Sequence, residues 1–182
     1  MSEFEMAFSL FGLVLGLSLV EVVSGISLAI KRRRTVPPGY LTPLLAIYVL
    51  LDVTTFWGIA WTMRELVDQI WHALGFGLLV SAMYYVAAAH VFPEKEDAHH
   101  TGLDEHFDHH FRLVIGLVLA CNVVLITARA LLGHTVDAVS WWTNVAYFAL
   151  GILTIAAPGR KLRAAGLVGL IAILVWVFVG PA

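Results

Sequence analysis

Cysteine occurs once in the 182 residues, at Cys121, so no disulfide forms within one chain and a cysteine zinc site is unavailable. Charge is scarce as well: Asp, Glu, Lys and Arg make up 13 % of the chain, against roughly 25 % in an ordinary soluble domain. Nucleotide-binding loops, a nucleophile elbow and an intramembrane zinc motif are missing, which leaves an enzymatic reading without a chemical core. Low-complexity segments and linkers long enough to divide domains are also missing. A basic n-region is lacking at the start, where Glu3 and Glu5 stand, and the apolar stretch behind them is too long for a signal peptide. The first segment is therefore expected to be retained.

What the chain has in abundance is apolar surface. Hydrophobic residues account for 60 % and the mean hydropathy is +0.86, a balance that suits lipid rather than water as the solvent. Six segments, Phe4–Ile30, Leu41–Trp61, Ile70–Phe92, Phe111–Leu132, Val139–Ala157 and Ala164–Gly180, approach or exceed the roughly 20 residues that cross about 30 Å of hydrocarbon. The expected fold is all-α, a single transmembrane domain of six helices. The fifth segment is short and stops at Ala157-Pro158-Gly159, a helix terminator.

The formal net charge of −2 hides segregation: Lys31 to Arg34 form one basic run and Arg160, Lys161 and Arg163 another, while acids gather between Glu94 and Asp108. Loops one, three and five hold most of the Lys and Arg, and such loops stay cytoplasmic. Both termini are then external, and the loop 93–110 is cytoplasmic. Trp57, Trp61, Trp71, Trp141, Trp142 and Trp176 fall near the outer boundary as an aromatic belt should. The charge pattern sets orientation and does not resemble a nucleic-acid footprint. Six helices with both termini on one side also admit two inverted three-helix units, the plan of many secondary transporters. The layout resembles that of unassigned bacterial inner-membrane proteins, which implies an inner-membrane location and carries over no activity.

Polar residues inside these segments are the candidate site. Asp52 lies near the middle of segment two with Tyr48 and Thr55 on its face; an acid at that depth must be neutral, paired or facing a wet interior. Segment three offers Ser81 and Tyr84, segment four Asn122 and Arg129, and segment five a stripe of Ser140, Asn144, Tyr147, Gly151 and Thr154 at intervals of four and three. Counted at roughly 1.5 Å per residue, Asp52 and Arg129 differ in depth by about 9 Å. Arg129 then either nearly reaches Asp52 as a counter-charge or snorkels to the outer headgroups. Glu21, on the cytoplasmic half of segment one, has no obvious basic partner and is the better candidate for a protonatable site. Segment six is apolar apart from its glycines and is expected to be peripheral.

Five of the eight histidines stand between His99 and His110. If the helix starts at Leu103, His106 and His110 are four apart and His109 lies beside them, spacing that can hold a divalent metal; the alternative is a solvated loop that changes charge near pH 6. His72, His90, His110 and His134 sit at the ends of segments three and four, but eighteen residues separate His72 from His90, about 27 Å of helix, so a haem cofactor is not expected. The leading expectation is a small channel or transporter for an ion, proton or small polar solute, with Glu21, Asp52 and Arg129 as charge sites. The alternatives are a non-catalytic accessory or assembly subunit, partnered by its own copies or another membrane protein through the Gly12/Gly16 and Gly166 faces, and a metal- or haem-binding membrane protein.

Overall fold

The computed structural model describes residues 3–33, 39–64, 70–93, 103–131, 133 and 138–179. They form six α-helices: α1 (Glu3–Arg32), α2 (Leu41–Thr62), α3 (Ile70–Ala89), α4 (Leu103–Leu131), α5 (Ala138–Ala156) and α6 (Arg160–Val179). No strand occurs among the described residues. Four stretches, Glu5–Arg32, Leu41–Thr62, Leu103–Leu131 and Arg160–Val179, are long and apolar enough to cross a membrane, and Leu74–Ala89 is a shorter apolar helix. A helix satisfies its own backbone hydrogen bonds, so an apolar run of this length can cross hydrocarbon in this form.

Two helices begin before the apolar segments they contain, α4 at the Leu103 start that the histidine spacing supposed. α4 begins at Leu103, eight residues before Phe111, because Leu103, Phe107 and Phe111 recur every four residues and are all buried. Asp104 and Glu105 occupy its first turn, where acids complement the helix dipole. α6 begins at Arg160 rather than Ala164, its first turn held by charge. Arg160 donates to Asp108 Oδ2 through Nε at 3.0 Å and Nη2 at 2.6 Å. Arg163 Nη1 donates to Asp108 Oδ1 at 2.7 Å while its guanidinium lies over the Phe111 ring.

The centre of the bundle is α2, which packs against α1, α3, α4 and α6. α1 is an edge helix whose main neighbour is α3, its most extensive partner in the whole bundle. The corresponding pair in the second half, α4 and α6, barely meets through the backbone, so the two three-helix halves are not packed alike. α6 buries Gly166, Leu167, Leu170 and Leu174 against α2 and α5. A side chain at Gly166 would collide with Thr154 of α5, so the glycine there permits the approach of the two helices.

The outside of the bundle is apolar. Leu13, Leu79, Val123, Leu153 and Val168 are each more than half exposed, and they belong to five different helices. Exposed apolar side chains spread over five helices are unlike the limited apolar patches of water-soluble monomers. Length, apolarity and this outward face together suggest a membrane helical bundle.

Candidate functional site

Inside α2, Asp52 is 1 % exposed. Three neighbouring helices supply its partners. Tyr84 of α3 donates to Oδ2 at 2.6 Å, and Tyr147 of α5 donates to Oδ1 at 2.6 Å. Asn122 of α4 donates its amide to both oxygens, at 3.0 and 3.3 Å. Tyr48, one turn below Asp52 on α2, completes the group: its hydroxyl is 2.7 Å from that of Tyr147. Because the single Tyr147 proton goes to Asp52, the Tyr147 oxygen accepts and Tyr48 donates. The direction is therefore Tyr48 to Tyr147 to Asp52.

This geometry is that of an acceptor-only carboxylate. Tyr84, Tyr147 and Asn122 all point protons at it, and an ionised carboxylate takes them without any hydroxyl having to turn. The surrounding wall is apolar: Val49, Val53, Phe56, Val80, Val118 and Cys121 are all buried in the same core. A polar network of this kind is strong when complete, because a low local dielectric strengthens each hydrogen bond and makes any unpaired member expensive.

Depth brings three of the members together, whereas Tyr84, fourteen residues after the start of α3, reaches Asp52 from about 6 Å deeper. Asp52 stands ten residues before the end of α2, Asn122 nine before the end of α4, and Tyr147 nine after the start of α5, so at about 1.5 Å per residue the three lie in nearly one layer. Arg129 lies seven residues beyond Asn122, about 10 Å further along. The ion pairs among the described residues do not include one between Arg129 and Asp52, and the Nε of Arg129 is buried without a hydrogen-bond partner. The compensation for Asp52 comes from neutral donors. That assignment could have been reached by counting from helix ends rather than by seeking an opposite charge.

The other polar candidates do not join the cluster. Thr55, Ser81, Asn144 and Thr154 each bond a carbonyl of their own helix, the usual local solution for such side chains. The α5 stripe nonetheless faces inward, with Tyr147, Gly151 and Thr154 buried and Ser140 and Asn144 half-buried. Glu21 is exposed on α1, outside the core cluster that surrounds Asp52.

A second group lies at the opposite end of α3. His90 Nδ1 is 2.7 Å from Val86 O, His106 Nε2 is 3.1 Å from His90 O, and His110 Nδ1 is 3.1 Å from His106 O. Each ring thus gives one N–H to a carbonyl. The His106 and His110 rings stack at 4.1 Å, presenting faces rather than lone pairs to one another, and His109 is exposed. Among the described residues no group of three or more His, Cys, Asp or Glu side chains converges as a metal ion would require. His99, His100 and His134 lie outside the described residues. Comparison with protein-family models, curated proteins and solved structures gives no match.

Proposed function

We propose that this chain is a six-span inner-membrane protein, with both termini outside, that carries protons across the bilayer, alone or coupled to a small solute. The observation behind this reading is Asp52: a carboxylate buried in mid-helix and held only by neutral donors. A purely structural intramembrane acid is normally matched by a fixed cation. One compensated by hydroxyls and an amide takes its positive charge from something mobile.

A proton fits that role better than a metal cation. Sodium or calcium needs several oxygen lone pairs converging on one point, whereas the groups around Asp52 aim protons at it. A proton needs only one oxygen, and the Tyr48–Tyr147 pair offers a hydroxyl relay that can reverse direction. In this reading Asp52 bears the proton, Tyr84 and Asn122 orient it, and Tyr147 and Tyr48 lead toward the cytoplasmic half. Arg129 supplies a positive charge at the outer end. Glu21, on the outward face of α1, has no part in the path.

Flux in proteoliposomes tests the proposal. With a pH-sensitive dye inside and an imposed membrane potential, Asp52→Asn should lower proton uptake at least about tenfold, the effect of some 1.4 kcal/mol on a barrier. A folded Asp52→Asn protein that carries protons as fast as the wild type would refute it. The outward polar face of α1 favours a second reading, an accessory subunit of a membrane complex. Co-purification of a stoichiometric partner from native membranes, with no flux by the isolated chain, would favour that reading instead.

A further inference from the structure

α1 has two faces with different jobs. Ala7, Phe11, Leu15, Ser18 and Val22 are buried and meet the bundle. On the other side Met6, Leu10, Leu13, Leu17, Val20, Ser24 and Ser27 are all exposed, and their spacing alternates four and three over the whole helix. That is the heptad seam of a helix that pairs with another helix.

Leucines on such a seam would be content against lipid. The lower part would not. Glu21, Ser24 and Ser27 are exposed and make no hydrogen bond or ion pair among the described residues. Elsewhere in this chain the hydroxyls of Ser9, Ser18, Thr54, Thr55 and Thr127 fold back onto the carbonyl four residues earlier, but those of Ser24 and Ser27 do not. Glu21 stands eleven residues before the end of α1, about 16 Å of helix. It is therefore well inside a hydrocarbon layer of about 30 Å. An outward acid at that depth needs a partner.

We propose that this face of α1 binds the same face of a second copy, as a parallel two-fold pair of helices. This pairing rests on the membrane-spanning reading but not on proton transport. The stripe carries an acceptor and two hydroxyl donors together, so it is complementary to itself and requires no cation from another protein. Copies inserted in the same direction meet at equal depths. If Leu10, Leu17 and Ser24 take the first heptad position, Glu21 of one copy lies across from Gly16 of the other, since flanking positions pair five residues apart. A side chain at Gly16 would touch nothing within 4 Å in the protomer. The opening there is the space that a Glu21 carboxyl from the other copy would cross, with the seam serines as its donors.

Disulfide trapping in lipid tests the pairing. Cys121 is buried and can stay. Val20→Cys and Ser24→Cys should form a covalent dimer under mild oxidation, whereas Val168→Cys on the exposed face of α6 should not. Adding Gly16→Leu should reduce the trapped dimer roughly tenfold, the effect of about 1.4 kcal/mol on association, with the circular-dichroism melt of the protomer unchanged. Equal trapping at Val168→Cys, or none at either α1 position, would overturn the proposal. So would a trapped product in which α1 is joined to a different protein.

Discussion

Replacing Tyr147 by Phe tests the direction of hydrogen bonding around Asp52. The variant keeps the ring and deletes one oxygen, which receives a proton from Tyr48 and gives one to Asp52 at 2.6 Å. Loss of a hydrogen bond to a charged group is worth about 1.5–3 kcal/mol, and the stranded Tyr48 hydroxyl about 1–3 kcal/mol more. Interhelical hydrogen bonds in membranes are often weaker, averaging roughly 0.6 kcal/mol, so about 2–3 kcal/mol is the expected total. Tyr48→Phe removes only the far end of the chain and should cost about 0.5–1.5 kcal/mol. The double variant should then cost no more than Tyr147→Phe alone, because the Tyr48 hydroxyl that is deleted had already lost its acceptor. The coupling between the two sites is thus about 1 kcal/mol. Unfolding of the purified protein in mixed micelles, followed by circular dichroism as denaturing detergent is added, measures all three. Costs that add to within about 0.3 kcal/mol would refute the relay. A Tyr48→Phe cost equal to that of Tyr147→Phe would refute its direction.

Other perturbations separate the remaining contacts. Arg129→Met should leave stability within about 0.5 kcal/mol of wild type, since Arg129 makes no ion pair with Asp52; a loss above 2 kcal/mol in the same micelle assay would show a partner. Arg163→Gln should cost about 1–3 kcal/mol, because its side chain is 13 % exposed and joins Asp108, the Ala157 carbonyl and the Phe111 ring. Arg160→Gln, at a side chain 48 % exposed, should have a smaller effect that fades with added salt. Gly166→Val should cost about 1–3 kcal/mol through collision with Thr154, while Gly116→Ala, with nothing within 4 Å of its new methyl, should be neutral or mildly stabilising in thermal melts.

Much of the fold was legible because apolar runs of membrane length admit few alternatives. The start of α4 was harder: six polar or charged residues lie between Leu103 and Phe111, and mean hydropathy hides a buried four-residue spacing that the side chains obey. All five members of the Asp52 group could be named in advance as intramembrane polar residues, but their pairing could not. Attention to opposite charge pointed to Arg129, whereas the protein uses an amide and a hydroxyl at matching depth and a second hydroxyl, that of Tyr84, from deeper in α3. The outward placement of Glu21 was hidden for a different reason. Ser18 and Glu21 are three residues apart, only about 60° around a helix, and the boundary between the two faces of α1 runs between them.

The Asp52 group also has a history in time. Its partners Tyr84, Asn122 and Tyr147 are encoded 32, 70 and 95 residues after Asp52, so α2 is synthesised before any of them has been made. At about 5–20 residues per second, the carboxylate waits roughly 5–20 s for Tyr147. During that interval its charge has to be borne by water or by a proton. The centre of the finished bundle is therefore among the last of its polar contacts to close, and a chain arrested before α5 would hold an open, acidic cleft where the mature protein is sealed.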